Sequence, residues 1–474
     1  MAKKSASAKK IPEQKPVTRP ESETSIYVNC LGLCGFFTVL YGLPLLHPKI
    51  DPVWLTVCAM LATALPIAIY DLFFAEIYKN PASGIGKKHE TNGYRIYVKL
   101  VGLYVTFAII AFVYWLFPEY GSYYDRAFKA MRYALYVLAA GAPFYFWYVD
   151  SRQEHPEGAY WHLGRLILRG EWDKDTRRYL AEHARNWMVK GFFLPLMFTF
   201  VANNVNDLSK VHEDFPFSSA YLWNGGLGAW WSHVTDSFAL GPVEWTHRTY
   251  EFLYTFLYTV DVAFAAVGYA MTFRILNAHI RSVEPTVFGW VICLVCYPPF
   301  WSGLFYNNYF DYSSDTSWGK WLWDYPLFYV PWALAICGCI AAYSWGTLAM
   351  GYRFSNLTYR GLITSGPYRF TKHPAYVFKN TSFWLISVPF IGGEPVAVVI
   401  RHCLLLFGVN LIYYFRARTE ERHLLNYPEY KQYCQWMDEH GWFRFLRRVP
   451  CFDWRTSERV NVKAWWRQEN GGRA

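Results

Sequence analysis

Along this chain apolar residues fall in uninterrupted runs of about 18–24, the length that crosses a hydrocarbon core of roughly 30 Å as a helix. Inside lipid there is no water to satisfy backbone N–H and C=O groups. Each run must therefore close its hydrogen bonds internally, which a helix does. With 53% hydrophobic and only 17% charged residues among 474, a string of soluble domains is excluded. The expected fold class is all-α: a polytopic integral membrane protein with about ten transmembrane helices and both termini cytoplasmic.

The runs place spans near 26–47, 53–76, 95–117, 128–149, 188–204, 249–273, 286–306, 327–350, 381–393 and 396–415. With the N-terminus inside, roughly 36 of the 46 Lys and Arg residues fall in cytoplasmic segments, as the positive-inside rule requires. The segment 150–187 is basic, whereas 205–248 and 307–326 are acidic and aromatic. The short 381–393 run could be re-entrant instead of spanning. Residues 1–25 are polar and basic, with no apolar core and cleavage site behind them, and read as a retained, disordered tail. Residues 156–170 carry Tyr160, Leu163, Leu166 and Ile167 at helical spacing, which suits a helix lying on the cytoplasmic surface. The aromatic stretch 215–232 suits the outer headgroup layer.

The net charge of +10 is spread among loops, so topology accounts for it and a nucleic-acid partner is not implied. Eight of the ten cysteines lie in expected spans, where a thiol behaves as a small hydrophobe. Cys293-x-x-Cys296 lacks a second pair, so no metal is expected. Chemistry divides the chain into the tail 1–25, a multi-span region 26–325 without signature residues, a core 326–452 that concentrates polar motifs, and a polar end 453–474.

Two stretches in that core carry the chemistry. The first, LITSGPYRFTKHPAY at 362–376, joins a Gly366-Pro367 turn to Pro374, which lacks an N–H and can open a helix. His373 then sits at the N-terminal edge of that helix, where free backbone donors favour an anion, with Arg369 and Lys372 adding charge and Tyr368 and Tyr376 offering rings. Headgroup anchoring is the ordinary explanation for the two cations. The second stretch, Arg416 to Leu425, follows the last span. Glu420 and Glu421 can hold an amine or ribose hydroxyls, and Arg416, Arg418 and Arg422 can pair with them or grip an anion. A solvated helix with an Arg416–Glu420 pair is the ordinary alternative. Glu420-x-x-His423 is half of a di-iron motif whose second half is missing. Among ionisable groups within spans, Asp261 is the clearest; Asp71 and Glu76 are near the cytoplasmic end of the second span, and Arg401 and His402 lie in the last.

Taken together, GYRF at 351–354, LITSGPYRFTKHPAY, an apolar hairpin, YYFRARTEERHLL and PEYKQY at 428–433 resemble the isoprenylcysteine carboxyl methyltransferase family, which shares its C-terminal pattern with membrane phospholipid methyltransferases. The resemblance covers roughly 345–450. It implies an S-adenosylmethionine-dependent membrane enzyme acting on a lipid or lipid-linked acceptor at the cytoplasmic face. It further implies that Gly366, Tyr368, Arg369, His373, Pro374 and Tyr376 form the cofactor pocket, that Glu420 and Glu421 close it, and that Arg416 or Arg418 orients the accepting group. The chain departs from the pattern at Lys372, where an arginine is usual, and at Phe378-Lys379-Asn380, where the family commonly has a small glycine-containing sequence. Two other readings stand beside it. Sterol-reductase-type enzymes, which use NADPH, also combine a long multi-span region with a similar C-terminal pocket. A transporter or scaffold would instead depend on Asp261 and the outer aromatic loops. Gly-Gly-Arg-Ala at 471–474 carries no retention signal, which points to a bacterial inner membrane over the endoplasmic reticulum.

Overall fold

The computed structural model describes residues 18–457 except 48, 119–120, 122, 306–309, 314–316 and 392–394. Within the described residues the chain is mainly helical, with one two-stranded sheet. The first half comprises α1 (Ile26–Leu46), α2 (Pro52–Phe73), α3 (Gly93–Leu116), α4 (Asp125–Asp150), α5 (Ala159–Arg169), α6 (Lys174–Asp214), α7 (Ser219–Ser237) and α8 (Gly241–Ala270). A two-residue strand β1 (Ser282–Val283) precedes α9 (Val287–Leu294), α10 (Phe300–Phe305), α11 (Trp318–Leu322) and α12 (Pro326–Met350). Strand β2 (Thr358–Tyr359) then leads to α13 (Pro374–Ser387), α14 (Val396–Leu424) and α15 (Pro428–His440). The strands pair antiparallel, Ser282 opposite Tyr359.

Local sequence explains where the helices begin. Asp51 and Asn92 accept hydrogen bonds from Val53 and Arg95 backbone N–H groups at 2.8 and 3.0 Å, and Asp173 does the same for Thr176 at 2.6 Å. Pro326, Pro374 and Pro428 open α12, α13 and α15, where a missing N–H costs nothing.

Among the described residues, seven helices are long and apolar enough to cross a membrane: Ile26–Leu46, Pro52–Phe73, Gly93–Leu116, Lys174–Leu208, Asn224–Ala270, Pro326–Arg353 and Val396–Leu424. Three expected spans differ from these. The 128–149 span is the 26-residue helix α4, but Lys129, Arg132 and a run of Tyr, Trp and Pro dilute its apolar character. The 286–306 span is broken into α9 and α10 around Pro298-Pro299, which supply no backbone donors. The 381–393 span is only the second half of α13, whose 14 residues rise about 21 Å, short of a full hydrocarbon core.

Helices α6 and α8 form the axis of the bundle. The Phe193 and Tyr269 rings stack at 5.3 Å between them, among fully buried Leu196, Val201, Ala263 and Ala266. At one end Lys129 pairs with Asp51 at 2.5 Å, and Val388 packs with Trp318, Leu322 and Tyr329. At the other, buried Asp150 holds Arg95 at 2.7 Å and Lys99 at 2.6 Å. Helix α5 lies where a surface helix was expected, but it buries Trp161, His162, Leu163 and Gly164, so that of the anticipated stripe only Leu163 is fully buried and Ile167 is exposed. The reason is backbone approach: a Cβ on Gly164 would stand 2.0 Å from the Val98 carbonyl, and one on Gly102 2.1 Å from that of Tyr160. In the 215–232 stretch, α7 kinks at Gly226.

Residues 18–25, expected as part of a disordered tail, are packed as a strap. Glu23 N–H donates to Leu362 O at 2.9 Å, Thr364 Oγ1 to Pro20 O at 2.8 Å, and Thr24 Oγ1 to Ala349 O at 2.7 Å. The Glu23 carboxylate accepts from Arg281 at 2.7 and 2.5 Å and also from Arg353. These partners lie hundreds of positions away, so composition alone could not announce the contact. The rest of the expected tail, 1–17, and residues 458–474 of the polar end lie outside the described residues. At the start of that polar end, Trp454 is buried and Arg455 pairs with Asp438 at 2.7 Å.

Candidate functional site

The two motif stretches meet at one cavity. The turn 365–373 delivers the chain into α13 with His373 as the N-cap residue, and α14 carries the acidic pair in its last two turns. Along α13, Tyr376, Lys379 and Phe383 recur on one face, as do Tyr413, Arg416 and Glu420 along α14. The two faces oppose each other: Tyr413 lies 5.5 Å from the Tyr376 ring and 6.2 Å from that of Phe383.

Tyr376 Oη donates to Glu420 Oε1, and the Arg416 guanidinium stands 5.2 Å from the Tyr376 ring. Arg416 is 5% exposed, donates to Asn356 Oδ1, and keeps its Nε 3.5 Å from Glu420 Oε1, within ion-pair range but without hydrogen-bond geometry. Asn356 is fixed in turn by its side-chain amide, which donates to Tyr269 Oη at 2.8 Å and Tyr297 Oη at 3.0 Å. Glu421 points away from the cavity. It accepts from Arg418 at 2.7 Å, pairs with Lys372, and lies 3.3 Å from His373 Nε2. Burial alone would drive the Lys372 ammonium to shed its proton, but the Glu421 carboxylate holds its pKa above the ordinary lysine range.

Tyr368, His373, Pro374, Tyr376, Arg416 and Glu420 therefore line the cavity. Gly366 does not. It is buried against α12 with φ +58°, and a Cβ there would stand 3.0 Å from that of Ala349. Arg369 is exposed, away from the cavity wall. Arg418 stands behind the wall, tied to Glu421, Asp453 O at 3.0 Å and Thr456 Oγ1 at 2.5 Å. Arg422 turns away to Glu284 at 2.9 Å. His423 turns to Ser282 Oγ at 2.8 Å and not to Glu420.

Sequence reading missed Tyr297, Tyr343, Thr347, Asn356 and Tyr413 as wall residues. Only Tyr413 carried a usable signal, its spacing of three and seven from Arg416 and Glu420. Tyr297 also shows that the division at 325 is one of chemistry only, since the earlier region builds part of this wall. Asp261 sits behind the wall and accepts from Tyr343 Oη at 2.5 Å and from Thr347 Oγ1. Asp71 accepts from Tyr352, Glu76 is exposed beside Lys79, and Arg401 and His402 contact each other at 3.3 Å.

No family model, curated protein or solved structure matches this chain. The site therefore has to be read from its own chemistry. It joins a cavity-facing carboxylate, a buried arginine with an unsatisfied Nε, and tyrosine rings on two walls, a set suited to a ligand that carries an amine, hydroxyls and a planar ring.

Proposed function

We propose that this multi-pass membrane protein is a methyltransferase that uses S-adenosylmethionine to methylate a lipid or lipid-linked acceptor at the cytoplasmic face. One observation carries the reading: Tyr368, His373, Pro374 and Tyr376 share a cavity with Arg416 and Glu420, although about forty residues of chain separate the two groups. Those are the positions that the resemblance of 345–450 implies. The donor set fits the cofactor. Glu420 would hold its amine or ribose hydroxyls, and Tyr368 and Tyr376 would flank its ring or its cationic centre. When bound, the cofactor supplies an electrophilic methyl group.

The remaining work is positional. Arg416, held by Asn356 and Tyr297, is pre-set to orient an accepting oxygen, while the apolar helices around it keep water out. A carboxylate acceptor needs no base. An amine or phenol would pass its proton to Glu420 or His373, both of which border the cavity.

Ten crossings with both termini inside fit the same reading. In this reading broken α9–α10 and short α13 count as crossings beside the seven long apolar helices. One feature favours an NADPH-dependent reductase as a second reading. Arg353 and Arg360 also border the cavity, and Arg353 keeps a buried Nη2 without a partner, which a phosphate would satisfy.

Parallel titration of the detergent-purified protein with S-adenosylhomocysteine and NADPH decides between them. Saturable homocysteine-product binding that disappears in a His373→Ala, Glu420→Ala variant is the expected result. Binding of NADPH alone would replace the methyltransferase reading with the reductase, and binding of neither would remove both.

A further inference from the structure

Beyond the groups assigned to the cofactor, the cavity continues one helical turn deeper, between α12, α13 and α14. Lys379 borders it there, on the face of α13 below Tyr376, and six residues along a helix from His373 correspond to a rise of about 9 Å. Its ammonium is surrounded by rings: 5.2 Å to Tyr343, 5.9 Å to Phe383 and 6.0 Å to Tyr413. Among the described residues the Lys379 ammonium has no hydrogen bond or ion pair, although the backbone carbonyl accepts from Ser382 Oγ at 2.8 Å. Asp261 stands behind the wall with its oxygens taken by Tyr343 and Thr347.

An ammonium has three N–H donors, and aromatic faces balance its charge without accepting all three. In water-poor surroundings unfilled donors are costly, so a lysine retained at this depth calls for an acceptor atom. Asp261 meets Tyr343 and Thr347, not the ammonium, and so leaves its donors unoccupied. The open side of the ammonium is the cavity.

We infer that Lys379 forms a recognition subsite for an anionic group on the apolar acceptor, a carboxylate or a phosphate. The rings of Tyr343, Phe383 and Tyr413 receive the adjoining hydrocarbon, and the anion docks on Lys379 one turn below the groups that hold the cofactor. This deepens the methyltransferase reading by naming the acceptor class. It adds a specificity element at a position where the resembled family commonly has small residues.

The test uses full-length protein in a neutral detergent with four radiolabelled probes: oleate, oleoyl lysophosphatidate, oleyl alcohol and S-adenosylhomocysteine. Each is measured on the wild type, Lys379→Met and Lys379→Arg. At least one of the two acidic amphiphiles should bind the wild type, weaken about tenfold or more in Lys379→Met and recover in Lys379→Arg. Whichever of oleate or the lysolipid responds identifies the anion as carboxylate or phosphate. Oleyl alcohol should change by less than about twofold, as should the homocysteine product, because Lys379 does not touch the cofactor groups. Equal losses for acidic and neutral probes would overturn the inference, and so would failure of both acidic probes to bind the wild type. Failure of S-adenosylhomocysteine alone would remove the methyltransferase reading and leave the anion subsite standing.

Discussion

His373 spans the acidic pair: its Nε2 lies 3.3 Å from Glu421 Oε1, while Nδ1 of the same ring lies 3.8 Å from Glu420 Oε2. The two carboxylates nevertheless do different work. Glu421 is 4% exposed and surrounded by Lys372, Arg418 and His373, so it balances the charge of the scaffold, whereas Glu420 is 29% exposed and faces the cavity.

Substitutions of the two should therefore separate. Glu421→Ala leaves Lys372 and Arg418, 18% and 17% exposed, without their counter-charge and should destabilise the fold by about 1–3 kcal/mol. Glu420→Gln keeps an oxygen for Tyr376 and should leave the unfolding temperature within about two degrees of wild type while weakening S-adenosylhomocysteine binding at least tenfold, about 1.4 kcal/mol. Thermal unfolding and titration calorimetry on the same preparations check both halves.

Glu23→Ala should release the strap. Without the carboxylate, Arg281 and Arg353 face each other across the gap, and the Glu23 N–H to Leu362 O bond loses its anchor. Hydrogen-exchange mass spectrometry should show faster exchange across 20–24 and at Thr364, whose N–H donates to Ser22 Oγ at 3.2 Å, with the α6–α8 core unchanged. Unaltered protection across 20–24 would mean the backbone contacts hold the strap alone.

Stability should depend on pH through His279 and Glu23. Burial, with Arg274, Arg281, Arg360 and Arg353 around it, pushes His279 down to about 2. The folded pKa lies below the unfolded value of about 6.5, so the unfolded chain binds the extra proton and stability falls as pH drops below that value. Burial tends to raise the Glu23 pKa, but Arg281 and Arg353 together hold it below the ordinary carboxylate range. Its contribution is complete above the unfolded pKa, near 4.5, and is lost as pH falls through the lower folded value. Chemical denaturation from pH 8 to 4 should show the downward slope, and His279→Gln should flatten it between pH 6.5 and 5.

Gly164→Ala should loosen α5. A Cβ placed 2.0 Å from the Val98 carbonyl forces α5 away from α3, at a cost of about 1–3 kcal/mol. Gly158→Ala, where a Cβ meets no neighbour within 4 Å, serves as the control in a thermal-shift comparison.

How much of this was written in the chain depends on the range of the interaction. Helix α13 begins at Pro374 with His373 at its N-cap, as the His-Pro pair predicts, because proline acts on its own backbone. The acidic pair falls in the last two turns of α14, beyond its apolar stretch, as the letters alone indicate. Arg360 resembles any cytoplasmic loop charge by letter. In the fold it is buried and donates to Gly268 O at 2.7 Å, Ala278 O at 2.8 Å, Phe354 O at 2.9 Å and Met271 O at 3.2 Å, capping the carbonyl end of α8. Asn356 and Tyr297 escaped notice likewise, since an amide between two phenols exists only after three distant segments pack. Breaks within expected spans were harder still: hydropathy sums over Pro298-Pro299 without registering that the backbone stops being helical there.

The strap also orders events during synthesis. Glu23 leaves the ribosome long before Arg281 and Arg353, its partners 258 and 330 positions later, and Thr18 waits for Gln432. Contacts of such separation close last. The early helices must therefore be inserted while the wall at 353–365 is still unfastened, and a prematurely terminated chain can never fasten it. The strap is thus fastened at its far end only once Gln432, 414 positions on, has emerged to donate to Thr18 O at 3.0 Å.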